Sequence, residues 1–140
     1  MTGQIFLIRH GETQWSVSGK HTGTTDIPLT QAGESAARQL KNVIPGNPSL
    51  VLCSPLLRAQ KTAALAGLLV TRIEPDLTEW DYGNFEGRTT ADIRSELHNP
   101  SWLIWDYSIP NGEQLTDVAT RVDRVIAESL LTVESGGNVV

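Results

Sequence analysis

Short apolar runs alternate with amphipathic stretches along this chain. Two runs rich in apolar and β-branched residues, 4–8 and 50–53, have the pattern of strands that are buried on both faces. Residues 72–77 form a weaker strand candidate, and residues 138–140 begin a fourth apolar run. These four segments predict the strands of one sheet.

The stretches between these runs predict helices with identifiable ends. Thr30 is suited to be the N-cap of a helix that the Pro45-Gly46 pair terminates. Ser54 followed by Pro55 predicts the start of a second helix. The apolar faces predicted for the two helices are Ala32, Ala36, Ala37, Leu40 and Val43 in the first, and Ala59, Ala63 and Ala66 in the second.

The clearest helix is predicted from Glu113 to Leu131, where apolar residues recur at helical spacing. Asn111, with Gln114 three residues later, resembles a capping box at its start. Strands that alternate with helices predict an α/β fold with a mostly parallel sheet. A chain of 140 residues has the length of one domain, and we expect residues 1–140 to form one.

Composition and charge narrow the classes of function. The net charge of −5 argues against nucleic-acid binding, which needs a basic face, although a few arginines in a cleft could still attract an anionic substrate. We see no signal peptide and no apolar run of about 18 residues, so we expect a cytoplasmic protein without a membrane span. The single cysteine, Cys53, lies in an apolar run and is expected to be buried rather than nucleophilic.

The first candidate for chemistry is Arg9-His10-Gly11, which directly follows the first predicted strand. Ligands of open α/β sheets bind outside the carboxyl ends of strands. A histidine there could act as a nucleophile or a proton carrier near neutral pH, and Gly11 would let the backbone approach a ligand closely. Taken alone, the triplet is also compatible with a hydrogen-bonded structural histidine.

Arg58 is the second candidate. If Ser54 caps the following helix, Arg58 lies near its first turn, where a cation opposes the helix dipole. A bound anion would explain this placement, because the helix N–H groups and the guanidinium would share it. The alternative is a surface arginine that pairs with a nearby acid.

The third candidate is the segment from Glu79 to Gly87, which combines acids, aromatic residues and glycines. Aromatic neighbours can desolvate a carboxylate and raise its pKa, as general-acid catalysis requires. The alternative is a solvated acidic loop with anchoring aromatic residues.

Together these segments resemble the histidine phosphatase (phosphoglycerate mutase-like) superfamily. The similar blocks occur in the family's order and cover nearly all of the chain. They are Leu7-Ile8-Arg9-His10-Gly11-Glu12-Thr13, His21-Thr22-Gly23 with Asp26 to Thr30 and Gly33-Glu34, Cys53 to Ala59 with Thr62-Ala63, Glu79 to Gly87, and Asn111-Gly112-Glu113.

The resemblance implies a three-layer α/β/α fold and a set of roles. His10 matches the nucleophile that forms a phosphohistidine, and Glu79 matches the proton donor. Arg9 and Arg58 match the arginines that hold the phosphoryl oxygens. The residues that match positions near the substrate are Thr13, Thr22, Gly23 and Tyr82. Ser16 stands where many relatives have asparagine, which puts that substrate contact in doubt. No metal or other cofactor is implied, and the three histidines show no metal-ligand spacing.

The resemblance also implies a reaction class. Mutases of the superfamily carry a long insertion between the third and fourth blocks, whereas only residues 88–110 separate them here. This favours a phosphatase that acts on a small phosphorylated metabolite, and a mutase is the alternative. Trp102 and Trp105, expected on one face of a short helix, look similar to the sugar-bisphosphatase branch and suggest a sugar phosphate.

The family's second histidine follows the strand that residues 138–140 begin. We therefore expect a domain that is C-terminally incomplete and lacks about its last third. A truncated, non-catalytic phosphate-binding remnant is a further alternative, although retention of His10, Arg9, Arg58 and Glu79 together favours a catalytic origin. Whether the chain forms a homo-oligomer stays open.

Overall fold

A computed structural model describes residues 3–44 and 46–140 of the chain. The helices are α1 (Gln14–Val17), α2 (Gln31–Gln39), α3 (Leu57–Leu65), α4 (Thr90–Glu96) and α5 (Leu115–Glu134), and the strands are β1 (Leu52–Cys53) and β2 (Arg72–Ile73). Short 3-10 turns lie at Leu40–Asn42, Pro75–Leu77 and Gly83–Phe85. None of the helices in these ranges has both the length and the apolar character needed to cross a membrane.

The strands form a parallel sheet, as the sequence predicted. β1 pairs with β2 in parallel, with Leu52 opposite Arg72. On its other side lies the Val139 segment, because Ile5 and Leu50 each form a parallel bridge with Val139. The predicted first and fourth strands therefore meet as single bridges, and the order across the sheet is Ile5, Val139, β1 and β2. The prediction that residues 4–8 are buried on both faces is wrong, because this segment lies at the edge of the described sheet, where Ile5 is 38% and Leu7 is 93% exposed. This arrangement confirms an α/β fold with a parallel sheet.

Helix α2 begins as predicted, since the Thr30 hydroxyl accepts a hydrogen bond from the Gly33 amide at 3.0 Å. Of its predicted apolar face, Ala37 is buried, but Ala32 and Ala36 are exposed. The helix ends at Gln39 and continues as a 3-10 turn. Of the predicted Pro45-Gly46 stop, Pro45 lies outside the described residues.

Helix α3 begins differently from the prediction. Leu56, not Ser54, occupies the N-cap position, and the first helical residue is Leu57. The Leu57 amide donates to Asp26 Oδ1 at 2.9 Å, and the Ser54 hydroxyl accepts the Leu56 amide at 3.3 Å. A carboxylate suits a helix N-terminus because exposed N–H groups and the helix dipole both favour an anion. Asp26 is 31 residues away in sequence, so local pattern does not reveal it.

The capping box predicted for α5 is also wrong, although the helix itself begins only two residues after the predicted start near Glu113. The helix begins at Leu115, and the Asp117 carboxylate accepts the Gln114 amide at 2.8 Å. Asn111 instead adopts a left-handed conformation with φ of 58° and donates its side-chain N–H to Asn84 at 3.0 Å. The true capping pair therefore lies three residues later than the predicted one.

Two further predictions need correction. Residues 72–77 are a strand only at Arg72–Ile73, because Pro75 lacks an amide hydrogen and begins a 3-10 turn. Trp102 and Trp105 do not share a helix face, since no helix forms there. The Trp102 side chain is 1% exposed and the Trp105 side chain is 61% exposed. The helix of this region is the unpredicted α4.

The aromatic core lies behind the Glu79 to Gly87 segment. Phe85 packs edge-on against Trp102, with ring centroids 5.3 Å apart, and Ile93 of α4 is fully buried beside them. The buried core side chains are Trp80, Phe85, Ile93, Trp102, Ile104 and Ile109. This cluster gives the segment that carries Glu79 and Tyr82 a rigid support. Cys53 is buried, as predicted.

Candidate active site

His10 lies at the carboxyl end of the first sheet segment and is one of the residues that line a cleft of about 460 Å³. Its Nδ1 is 2.7 Å from the Gly11 carbonyl oxygen. A carbonyl oxygen only accepts, so Nδ1 must be the donor. The lone pair of the neutral ring is then on Nε2. The backbone of the neighbouring residue thus selects the tautomer that leaves Nε2 nucleophilic.

The surroundings of His10 favour its neutral form. Burial lowers the pKa of the imidazole most strongly, and the charges of Arg58 and Arg9 lower it further. The hydrogen bond to Gly11 and the carboxylate of Glu79 act in the opposite direction. The net effect is a pKa below the ordinary value. The charged groups that act on the pKa of His10 are thus Arg58, Arg9 and Glu79.

Gly11 is held between two helices. Its amide donates to the Thr62 hydroxyl at 3.0 Å, and that hydroxyl donates to the Arg58 carbonyl at 2.8 Å. On the other side, a β-carbon on Gly11 would lie 2.5 Å from the Gly33 carbonyl oxygen. Only glycine allows so close an approach of two backbones. The loop that carries His10 is therefore packed against α2 and hydrogen-bonded to α3.

Arg58 is the second residue of α3, near the first turn as predicted, yet its side chain is only 1% exposed. Nη1 donates to the Thr25 carbonyl at 2.9 Å, and Nη2 donates to the carbonyls of Gly23 at 2.8 Å and Thr22 at 3.1 Å. Its Nε–H is buried and has no partner among the described residues. Burial lowers the pKa of the guanidinium, and nearby acids led by Glu79 oppose that effect.

The loop that receives Arg58 is itself anchored by Glu86. The Glu86 carboxylate accepts the Gly23 amide with both oxygens, each at 2.9 Å, and the Thr25 amide at 3.2 Å. A side chain on Gly23 would not fit, because a β-carbon there would lie 2.3 Å from the Trp80 carbonyl oxygen. Glu86 binds the loop's amides while Arg58 binds its carbonyls, so opposite charges hold the two sides of one loop.

Glu79 is exposed beside this loop. Its Oε1 accepts the Trp80 amide at 2.9 Å, which holds the carboxylate against its own backbone. The Trp80 indole donates to the Glu113 carbonyl at 2.8 Å, and the Glu113 carboxylate accepts two hydrogen bonds from Arg121 at 2.8 and 2.9 Å. The hydrogen bonds from Arg121 hold the pKa of Glu113 below its usual range. The Glu79 segment is thus fixed to the start of α5.

Tyr82 lies where the aromatic core meets the site. Burial, reinforced by the charges of Glu79 and Glu86, raises the pKa of its hydroxyl to about 12. The ring stacks on Trp80 with centroids 6.3 Å apart and packs against His21 at 4.9 Å. A phenol with this pKa stays protonated near neutral pH and can donate a hydrogen bond to a ligand.

The structure places the other predicted substrate contacts as follows. Thr13 is fully buried and caps α1, since its hydroxyl accepts the Ser16 amide at 3.1 Å and Ser16 Oγ accepts the Thr13 amide at 2.9 Å. The Thr22 hydroxyl donates to the Lys20 carbonyl at 3.1 Å. Gly23 is buried in the loop around Arg58. Contact of these residues with a substrate stays a prediction.

Sequence reasoning assigned no role to three residues that organise the site. Thr62 holds Gly11, Glu86 holds the loop at Gly23, and Asp26 caps α3. The one available signal for Thr62 was its position four residues after Arg58, where a helical hydroxyl can reach back to the Arg58 carbonyl. Across residues 3–44 and 46–140, no group of three or more His, Cys, Asp or Glu side chains is arranged to hold a metal ion.

This chain is similar to one protein family and to several curated proteins. A sequence model of the histidine phosphatase superfamily (branch 1) matches residues 5–140. Curated relatives include an acid phosphatase of Mycobacterium tuberculosis, 42% identical over 91% of this chain. They also include the sedoheptulose 1,7-bisphosphatase of Saccharomyces cerevisiae, 33% identical over 91%, and the adenosylcobalamin/alpha-ribazole phosphatase of Escherichia coli, 39% identical over 89%. This chain spans 63%, 55% and 65% of their respective lengths.

Solved structures agree with these relatives. The solved structure of the product of an open reading frame of Mycobacterium tuberculosis superposes on this chain with a TM-score of 0.88 and 40% sequence identity. The match covers 96% of this chain and 70% of that one. The alpha-ribazole phosphatase of Shigella flexneri superposes with a TM-score of 0.79 at 37% identity, with the same coverage.

From the surroundings of His10 we predict the direction in which its pKa is shifted. In an NMR titration we expect the His10 midpoint below the usual value of about 6.5, because burial and two guanidinium groups disfavour the imidazolium. Glu79→Gln should lower the midpoint further, and Arg9→Gln should raise it. A midpoint at or above 6.5, or shifts of the same sign in both variants, would contradict this description.

Proposed function

Because this chain belongs to the histidine phosphatase superfamily, we propose that it hydrolyses phosphomonoesters without a metal ion, through a phosphohistidine on His10. The observation that carries the proposal is the hydrogen bond from His10 Nδ1 to the Gly11 carbonyl, which leaves Nε2 unprotonated. The nearby charges of Arg9 and Arg58 supply the positive field that an anionic phosphoryl group needs.

The first step is transfer of the phosphoryl group to His10. The Nε2 lone pair attacks phosphorus in line with the leaving oxygen, the N–P bond forms and the P–O ester bond breaks. In this step Glu79, protonated in the complex with substrate, gives its proton to the leaving alkoxide, so the alcohol departs neutral. Arg9 and Arg58 stabilise the charge on the phosphoryl oxygens. Arg58 is held by the loop carbonyls before the reaction, so it needs no reorganisation as the charge develops.

The second step is hydrolysis of the phosphohistidine. Water attacks phosphorus and gives a proton to the Glu79 carboxylate, the N–P bond breaks, and inorganic phosphate leaves. His10 returns to its neutral form, and Glu79 is protonated again for the next cycle. Glu79 is exposed rather than enclosed by aromatic residues as the sequence suggested, which leaves its carboxyl group accessible to both the leaving oxygen and water.

The proposed nucleophile can be tested by removing it. His10→Ala should lower phosphate release from a phosphomonoester by on the order of 10³-fold or more. It should also abolish the covalent phosphoenzyme, which for a phosphohistidine is stable to alkali and labile to acid. His98→Asn is the matched control, since His98 is exposed and has a left-handed φ of 50° that asparagine tolerates.

Two results would contradict this role for His10. Equal phosphate release by the parent chain and His10→Ala would exclude it as the nucleophile. Phosphate binding without any phosphoenzyme would favour a non-catalytic binding protein.

The proposed proton donor makes a separate prediction. Glu79→Gln should slow hydrolysis of a simple alkyl phosphate by about 10²–10⁴-fold, because its alkoxide leaves poorly without a proton. Hydrolysis of p-nitrophenyl phosphate should slow much less, since nitrophenolate leaves without protonation. The measurement is the ratio of kcat/KM for the two substrates, and an unchanged ratio would remove Glu79 from the donor role. Asp81→Asn is the control in the same segment.

We propose a sugar phosphate as the substrate. We also propose that the reaction is hydrolysis, rather than the transfer of a phosphoryl group between two positions of one metabolite that a mutase catalyses. The short segment 88–110 and the similarity to the yeast sedoheptulose 1,7-bisphosphatase support this choice. A sugar bisphosphate should therefore have a higher kcat/KM than p-nitrophenyl phosphate in a phosphate-release assay. Equal or lower values would exclude this substrate class. Conversion of 3-phosphoglycerate to its 2-isomer at a rate above that of hydrolysis would identify a mutase.

A further inference from the structure

The hydroxyl of Thr62 lies between the two parts of the site that carry His10 and Arg58. Thr62 is in α3, one turn after Arg58, and is 3% exposed. It donates its O–H to the Arg58 carbonyl at 2.8 Å and accepts the Gly11 N–H at 3.0 Å. Both functions of the hydroxyl are thus used, one within its helix and one across 51 residues of sequence.

Gly11 passes this constraint on to the nucleophile. Its amide is bound by Thr62, while its carbonyl accepts the proton of His10 Nδ1 at 2.7 Å. The amide and the carbonyl of Gly11 lie in two adjacent peptide planes that meet at its α-carbon, so a hydrogen bond to the amide fixes one of the two planes whose relative rotation sets the direction of the carbonyl. The contact with Gly33 limits where Gly11 can move but supplies no partner for that amide.

We infer that Thr62 is a positioning residue that keeps His10 in the Nδ1–H tautomer, through its hydrogen bond to the Gly11 amide. The inference rests on the proposed role of His10 as nucleophile. Without the Thr62 hydroxyl, the Gly11 amide has no acceptor, the loop turns to find another one, and the carbonyl leaves His10 Nδ1. The ring then samples the Nε2–H tautomer, which has no lone pair on Nε2 for attack on phosphorus.

A purely structural role makes a different prediction. Threonine hydroxyls in helices commonly bond to the carbonyl four residues earlier, and loss of that bond alone changes stability without affecting a distant histidine. The Thr62→Val variant keeps the branched shape and removes the hydroxyl. Thr62→Ser keeps the hydroxyl and removes a methyl group. The pair separates the hydrogen bond from the packing.

The experiment measures the His10 tautomer from its ring nitrogen chemical shifts in ¹⁵N-labelled protein, together with steady-state kinetics. The parent chain and Thr62→Ser should show mainly the Nδ1–H tautomer and similar kcat. Thr62→Val should show a mixed tautomer and a kcat that is lower by about 10- to 100-fold, with KM changed less than about threefold. The lower kcat reflects a smaller fraction of competent nucleophile.

Several results would overturn the inference. One is a Thr62→Val protein that keeps the Nδ1–H tautomer, whatever its activity, and another is a parent chain with the Nε2–H tautomer. If Thr62→Val does not fold, the test is the rate at which the Gly11 amide hydrogen of the parent chain exchanges with solvent. Slow exchange supports the hydrogen bond to Thr62, and fast exchange overturns the inference. Failure of the proposed function is distinct, because it appears as full activity of His10→Ala while the tautomer measurement is unaffected.

Discussion

Burial of the Arg58 guanidinium is the constraint on which the rest of the site depends. A charge that is removed from water is stable only where its N–H groups find acceptors. Here the acceptors are backbone carbonyls from Thr22, Gly23 and Thr25. Those carbonyls can face Arg58 because the Glu86 carboxylate binds amides of the same loop. One buried cation therefore joins α3, the loop and the Glu79 to Gly87 segment.

The site is built largely from backbone groups, which explains its glycines. Gly23 brings its loop against the Trp80 carbonyl, and Gly11 brings the His10 loop against Gly33 at the start of α2. Any β-carbon at these contacts would lie within 2.5 Å of a carbonyl oxygen. Folding fixes these backbone groups as part of the chain, so their hydrogen bonds require no further ordering of long side chains. The loops that carry His10 and receive Arg58 are consequently held against their neighbours by backbone contacts.

The electrostatics of the site and its proposed chemistry are consistent with each other. Burial and two guanidinium groups disfavour a charged His10, so the surroundings proposed to attract a phosphoryl group also keep the imidazole neutral. Glu79 partly offsets those positive charges, and its exposure leaves it in contact with solvent. In the proposed reaction, the same few charges serve substrate attraction and control of the nucleophile.

Sequence alone determined the features that depend on neighbouring residues: the buried run that contains β1, the Thr30 cap, and the placement of His10 after a predicted strand and of Arg58 in a first helical turn. Tertiary structure decided what joins distant residues. Asp26 caps α3, Thr62 holds Gly11, and Glu86 binds the loop at Gly23. It also separated Trp102 from Trp105, burying one and exposing the other. The reason is that local periodicity reports the conformation of a segment, whereas a hydrogen-bond partner or a buried face is assigned only when separate segments meet.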